Sequence, residues 1–233
     1  MTGHSGLGII ASMETYTTFP TLEALQGPQP GLRALLFDMD GTLFQTEEIH
    51  GEVLREMARD FGLVPPFPPS EVEARLKGMS DSQVVALARD WPGFPKGMTV
   101  EQFVDEKNQR LGKIIPRIAV SKWTSPQLKE LIVKARTLGI NTAVVTSSER
   151  VVTDLLLKTA GMTALFDLVL TLQDVKFAKP HPWPYLQAML HLGVGPRETL
   201  IFEDSKPGLA SAVASGARAI QVDWWTGLVI WPE

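Results

Sequence analysis

From Arg33 onward the sequence alternates between short apolar runs and helical patterns, and the alternation is broken once by a long block that carries no strand. Apolar runs suited to buried parallel strands fall at 34–37, 141–145, 167–170, 199–202 and 217–222. Helical spacing lies between most of them. In 126–138 the apolar residues Leu128, Leu131, Ile132, Ala135 and Leu138 follow the helical period. Ser125 suits the N-cap, Pro126 the first turn and Gly139 the stop. Further helices are predicted over 149–160, 182–192 and 207–215, each ending before a glycine. This order predicts an α/β fold, a doubly wound parallel sheet.

The interruption spans about 46 to 124. Its patterns are helical only, over 47–61, about 70–90 and about 99–114, separated by the proline-rich turns Pro65-Pro66-Phe67-Pro68-Pro69 and Trp91-Pro92-Gly93-Phe94-Pro95. Ile49, Val53, Met57 and Phe61 recur every four residues as one stripe. An all-helical block between the first two strands of a sheet is an inserted cap. The expected division is a weakly structured tail at 1–30, a core domain from 31–45 and 122–233, and a helical cap domain at 46–121.

The tail holds no Lys or Arg and is rich in Thr, Ser, Gly and Pro. It lacks the basic start and long apolar middle of a secretory signal. Phe19, Leu22 and Leu25 are candidates to dock it on the core. Gly6-Leu7-Gly8-Ile9-Ile10-Ala11 has glycine spacing of a dinucleotide fingerprint but no strand before it, which the mechanism of such a loop requires. The net charge is −4 with both signs interspersed, which predicts no nucleic-acid surface and no polybasic membrane patch. No apolar stretch approaches the roughly 20 residues of a membrane span. With no cysteine there are no disulfides or thiolate metal sites, and a cytoplasmic compartment is expected.

The chemistry is expected where strands end, because open parallel sheets bind ligands outside the carboxyl ends of their strands. The first run, Leu35-Leu36-Phe37, stops at Asp38, and Asp40 and Gly41 follow. Two acids where a buried strand leaves its sheet need a compensating cation or proton. The second strand ends at Thr146-Ser147-Ser148, a later one at Glu203-Asp204-Ser205, and Lys179-Pro180 lies after the third. Together these groups suit phosphoryl transfer. A carboxylate can attack phosphorus, and a second can protonate the leaving oxygen and then activate water. Asp38, Asp204 and Glu203 form an oxygen-rich site for Mg²⁺. Lys179 and the Thr146 hydroxyl supply donors to the phosphoryl oxygens. His4, His50, His181 and His191 show no zinc-ligand spacing.

The same residues carry a resemblance. Asp38-Met39-Asp40-Gly41-Thr42, Val144-Val145-Thr146-Ser147, Lys179-Pro180 and Phe202-Glu203-Asp204-Ser205, in this order, resemble the four motifs of the haloacid dehalogenase superfamily, in its branch with a helical cap after the first strand. The resemblance covers roughly 33 to 222 and is nearest to the phosphoglycolate phosphatase and β-phosphoglucomutase-like members. It implies Asp38 as nucleophile and Asp40 as general acid and base. It implies Mg²⁺ held by the Asp38 side chain, the Asp40 carbonyl and Asp204, with Glu203 directly or one shell out. Thr146 and the Ser147 backbone would contact the phosphoryl group, and Lys179 would orient Asp38. Leu76-Lys77-Gly78-Met79-Ser80 resembles the substrate-facing cap loop of that group, with Lys77 as the candidate contact.

Two departures stand out. Gln45 replaces an aspartate common among relatives, and Asp81 stands where the sugar-phosphate mutase has an arginine. An acid at that place cannot hold the distal phosphate of a bisphosphate intermediate. The expected function is therefore a Mg²⁺-dependent phosphatase acting on a small phosphorylated metabolite through an aspartyl-phosphate, as a monomer or homodimer, with a β-phosphoglucomutase-type mutase as the alternative. A dehalogenase needs neither Asp40 nor the Glu203-Asp204 pair. His50 and Glu47, on the first cap helix, are candidates for proton movement. Ser147 and Ser148 serve either as helix caps or as substrate contacts, and Trp224, Trp225 and Trp231 read as packing. Hinges are expected near 44–47 and 121–125.

Overall fold

The structure, a computed structural model, describes residues 14–18, 20–22, 25, 31–76 and 79–225. Its strands are β1 (Glu14–Tyr16), β2 (Ala34–Phe37), β3 (Asn141–Val145), β4 (Leu168–Leu170), β5 (Thr199–Glu203) and β6 (Arg218–Val222). They form one parallel sheet in the order β1-β6-β5-β2-β3-β4. Strand side chains alternate between faces. Leu35, Phe37, Val144, Leu200, Phe202 and Ile220 enter the larger core. Ala34, Leu36, Ala143, Val145 and Ile201 enter the smaller one.

Helices cover both faces. α5 (Pro126–Thr137) and α6 (Arg150–Thr159) bring Leu128, Ile132, Val152 and Leu156 to the larger core. α7 (Trp183–Leu192) and α8 (Lys206–Ala214) bring Tyr185, Ala188, Met189 and Ala212 to the other face. Ser125 caps α5 as its sequence predicts: its hydroxyl accepts the Leu128 N–H at 3.3 Å.

Between β2 and β3 come α1 (Glu47–Phe61), α2 (Pro69–Leu76), α3 (Asp81–Ala88) and α4 (Val100–Ile114), with no strand among the described residues. The single helix expected over about 70–90 is two. Ser80 starts the second through a reciprocal capping box: its hydroxyl accepts the Gln83 N–H, and the Gln83 side chain accepts the Ser80 N–H at 2.9 Å. The two crossings into the insertion lie side by side. The Gln45 N–H donates to the Trp123 carbonyl at 3.0 Å, and the Phe44 and Trp123 rings meet edge to face at 5.1 Å.

The N-terminal thirty residues are not all tail. Glu14–Tyr16 extends the sheet beside β6, pairing Thr15 with Gln221. The segment pairs its backbone along an open sheet edge, which three residues suffice to use. Leu22 and Leu25 are buried in the larger core, and Arg218 donates to the Leu25 carbonyl at 3.1 Å. Phe19, the glycine-spaced segment at 6–11 and Trp231 lie outside the described residues.

Candidate active site

The register sets the site. Phe37 of β2 is level with Val144 of β3 on one side and Phe202 of β5 on the other. One residue further, Asp38, Val145 and Glu203 stand together at the sheet's carboxyl edge. Lys179 reaches this level from the loop between β4 and α7. Its ammonium donates to Asp38 Oδ1 at 2.6 Å, Glu203 Oε1 at 2.5 Å and the Val145 carbonyl at 2.8 Å, so its three protons are all used.

Glu203 is fully buried yet fully partnered. Besides Lys179, the Tyr185 hydroxyl donates to Oε1 at 2.6 Å and the Ser205 hydroxyl to Oε2 at 3.1 Å. A buried carboxylate requires such partners. The room for it comes from Gly208: a Cβ there would stand 1.9 Å from Glu203 Oε1. Gly41 makes room for Asp204 in the same way, with 2.1 Å from an added Cβ to Oδ2 and a φ of +79° that side chains disfavour. Thr42 donates to Asp204 Oδ1 at 3.1 Å. The Thr42 carbonyl in turn accepts both indole N–H groups of Trp224 and Trp225, at 2.9 and 3.0 Å. The C-terminal tryptophans thus pin the loop that follows Asp38 as well as filling space.

Asp38, Glu203 and Asp204 each offer a carboxylate oxygen, all within 4.8 Å of one another. Burial, followed by the Glu203 and Asp204 charges, outweighs Lys179 and pushes the Asp38 pKa well above the ordinary carboxylate range. Burial and the Glu203 charge push Asp204 up to about 7. Burial alone would lower Lys179, but the Asp38 and Glu203 charges and hydrogen bonds raise it. This corner therefore carries more negative charge than its one cation balances, and an oxygen-only set of this kind suits a hard divalent cation.

Asp40 is held apart from that cluster. Thr46, at the N-terminal end of α1, donates to its Oδ1. Ser148 donates to its Oδ2 at 2.5 Å, and His50 Nε2 of α1 lies 3.4 Å from Oδ1. Burial works against the charged form, but the His50, Ser148 and Thr46 hydrogen bonds and the His50 charge win and bring its pKa to about 2. His50 thus meets Asp40, whereas Glu47 lines the cleft beside it. Thr146 is buried at the end of β3, and its hydroxyl accepts the Ser148 N–H at 3.0 Å. Ser147 is exposed at this edge. Ser148 does not cap α6: the N-cap is Glu149, and the Ser148 hydroxyl goes to Asp40. Lys77 lies outside the described residues.

Sequence reading missed Thr46 and Tyr185. Tyr185 carried a signal, since a tyrosine on the apolar stripe of a buried helix needs a partner for its hydroxyl. Thr46 carried none beyond its place before a helix.

A cleft of about 1180 Å³ opens on Asp40 and Asp204 and runs into the helical insertion. Residues 35–222 match the family model of haloacid dehalogenase-like hydrolases. The chain is 33% identical over 195 residues to the protein CbbY of Rhodobacter capsulatus, covering 81% of this chain and 84% of that one. It is 28% identical over 193 residues to the fructose-1-phosphate phosphatase YqaB of Escherichia coli, covering 81% and 95%. The solved structure of a CbbY variant from Rhodobacter sphaeroides in complex with xylulose-(1,5)bisphosphate is similar with a TM-score of 0.70 and 26% identity, covering 82% of this chain and 85% of that one. The chain belongs to the haloacid dehalogenase-like hydrolases.

Proposed function

We propose that the chain hydrolyses a small phosphomonoester with Mg²⁺, Asp38 acting as nucleophile. The observation that carries the reading is the meeting of Asp38, Lys179, Glu203 and Asp204 from three separate segments at one sheet edge, with Asp40 beside them. The names of the relatives point to the same reaction: one is a fructose-1-phosphate phosphatase.

Asp38 attacks phosphorus in line and becomes an aspartyl-phosphate. Lys179 holds the attacking carboxylate in place through the 2.6 Å bond. Asp38, Asp204 and the Asp40 carbonyl would hold the Mg²⁺. Glu203, with its oxygens taken by Lys179, Tyr185 and Ser205, positions Lys179 instead. The bound cation supplies charge neutralisation for a phosphate dianion among carboxylates. Thr146 and the backbone at Ser147 face the phosphoryl oxygens.

Asp40 gives a proton to the departing alcohol and then takes one from the attacking water. With a pKa of about 2 in its present bonds it is in the base form. Acting as an acid requires it first to take up a proton from solvent as its bonds to Thr46, Ser148 or His50 are given up. The insertion, residues 46–121, is the cap over the cleft, and a product-side water is admitted only after the alcohol leaves. The mutase alternative loses ground because Asp81 stands in the cleft wall.

The test is Asp38→Asn. An amide cannot attack phosphorus, so release of phosphate from p-nitrophenyl phosphate with Mg²⁺ is expected to vanish while the circular dichroism spectrum is kept. Undiminished turnover in this variant removes Asp38 as the nucleophile.

A further inference from the structure

The turn after Asp40 is held from outside by the segment that follows β6. Val222 ends that strand, level with Tyr16 of β1, and Trp224 and Trp225 come just after it, beyond the stretch 35–222 that the family model matches. Both tryptophans are buried. The Trp224 ring packs 5.9 Å from that of Phe202, and Trp225 lines the cleft beside Asp40, Gly41 and Asp204. The two indole N–H groups converge on one oxygen, the Thr42 carbonyl, at 2.9 and 3.0 Å, and take both of its lone pairs. A buried indole needs an acceptor, but filling space needs no indole, because phenylalanine packs without one.

Thr42 is fully buried and works in two directions. Its carbonyl meets the tryptophans, while its hydroxyl donates to Asp204 Oδ1 at 3.1 Å. Its N–H closes the turn that carries Asp40 by donating to the Met39 carbonyl at 3.3 Å. Asp204 needs such a donor, since its carboxylate shares a corner with those of Asp38 and Glu203 and is repelled by both.

We infer that Trp224 and Trp225 are positioning residues for the divalent cation: through Thr42 they hold Asp204 and the Asp40 carbonyl rigid, and that rigidity favours Mg²⁺ over Ca²⁺. The inference rests on the Mg²⁺ site of the reading above. Mg²⁺ demands nearly ideal octahedral geometry, whereas Ca²⁺ accepts more oxygens in looser arrangements. Loosening the turn therefore costs Mg²⁺ more than it costs Ca²⁺.

The experiment is isothermal titration of the full chain with Mg²⁺ and, separately, with Ca²⁺, in the absence of substrate. Trp224→Phe and Trp225→Phe each keep a ring and leave one indole on the carbonyl, so each alone is expected to cost little. The double variant is expected to weaken Mg²⁺ by about tenfold or more, the usual scale for groups that orient metal ligands. Its loss therefore exceeds the sum of the two single ones. Thr42→Val, which removes the hydroxyl and keeps the side chain's shape, is expected to weaken Mg²⁺ similarly without touching the tryptophans. In the double variant and in Thr42→Val the ratio of Mg²⁺ to Ca²⁺ affinity falls.

A role in packing alone lowers the melting temperature and leaves that ratio where it was. Unchanged Mg²⁺ affinity in the folded double variant, or equal losses for the two ions, overturns the assignment. Should the double variant not fold, an unchanged ratio in Thr42→Val overturns it instead. If the wild type binds no Mg²⁺, the metal reading itself fails and takes the inference with it. If the wild type binds Mg²⁺ and the variants bind it equally well, only the role of the tryptophans falls.

Discussion

Replacing Lys179 by methionine tests whether the site's order is electrostatic. The side chain is 5% exposed and sits between two carboxylates that are 11% and 0% exposed. Methionine keeps the stem's bulk but removes the charge, so Asp38 and Glu203 must share a buried corner with no cation between them. Their escape is to bind one further proton. For a carboxyl with an ordinary pKa of about 4, holding that proton costs about 4 kcal/mol at pH 7 and about 1.4 kcal/mol at pH 5, at 1.36 kcal/mol per pH unit. The lost bond to the Val145 carbonyl adds about 1 kcal/mol at either pH.

The expected destabilisation is therefore about 5 kcal/mol at pH 7 and about 2 kcal/mol at pH 5, in line with the 3–5 kcal/mol seen on breaking buried pairs. The sign follows from linkage. In the variant a carboxyl's folded pKa is raised, so stability is retained at low pH and lost as pH rises. Urea denaturation of both proteins in chelator at the two pH values reads the difference directly. A loss equal at pH 5 and pH 7, or under about 1 kcal/mol at pH 7, refutes a charge-based role for Lys179 and leaves packing as its function.

Three further outcomes are expected. Asp40→Asn should slow phosphate release by about 10²–10⁴, the usual worth of a general acid and base, measured as steady-state kcat. Gly208→Ala should destabilise the protein by about 1–3 kcal/mol or more and abolish turnover, because the added methyl overlaps a Glu203 carboxylate that Lys179, Tyr185 and Ser205 hold in place. Asp204 has a folded pKa of about 7 against an unbonded value of 3.8. Its contribution is thus present below pH 4 and lost as pH rises through about 7, at up to about 1.4 kcal/mol per pH unit. Added Mg²⁺ should raise the melting temperature more at pH 7 than at pH 5, and the opposite order in a thermal scan contradicts a metal at Asp204.

What the sequence made legible was whatever leaves a period or a strand end. The strands at Ala34–Phe37, Asn141–Val145 and Thr199–Glu203 are apolar runs closed by polar residues, and Asp38 and Asp204, which follow two of them, are candidate site residues once a parallel sheet is expected. Lys179 is expected near them because it lies in the loop after the third predicted strand and matches the third motif of the resemblance. The bonds that orient these groups left no such trace. Tyr185 and Glu203 are 18 residues apart, and Trp224 and Thr42 are 182 apart. Each pairing is decided by how helices seat on the sheet, which no local pattern encodes. The short strand Glu14–Tyr16 was hidden for a different reason: three residues are too few to show alternation, and they pair only because β6 offers an edge.

The placement of Asp40 ties the insertion to the chemistry. Two of its partners, Thr46 and His50, lie at the start of α1, and the third, Ser148, lies on the core after β3. The carboxylate therefore bridges the two parts of the molecule. The first crossing, at Gln45, is tied to the second at Trp123 by a hydrogen bond and a ring contact, so α1 shifts only as both crossings shift. Any displacement of α1 relative to β3 lengthens one set of Asp40 bonds before the other. Losing those bonds raises its pKa from about 2 toward the ordinary carboxylate value, and in the proposed mechanism the loosely held state is the one that would carry a proton to an alcohol. The bonds of Asp40 to Thr46 and His50 on one side and Ser148 on the other thus couple its proton affinity to the seating of α1 on the core.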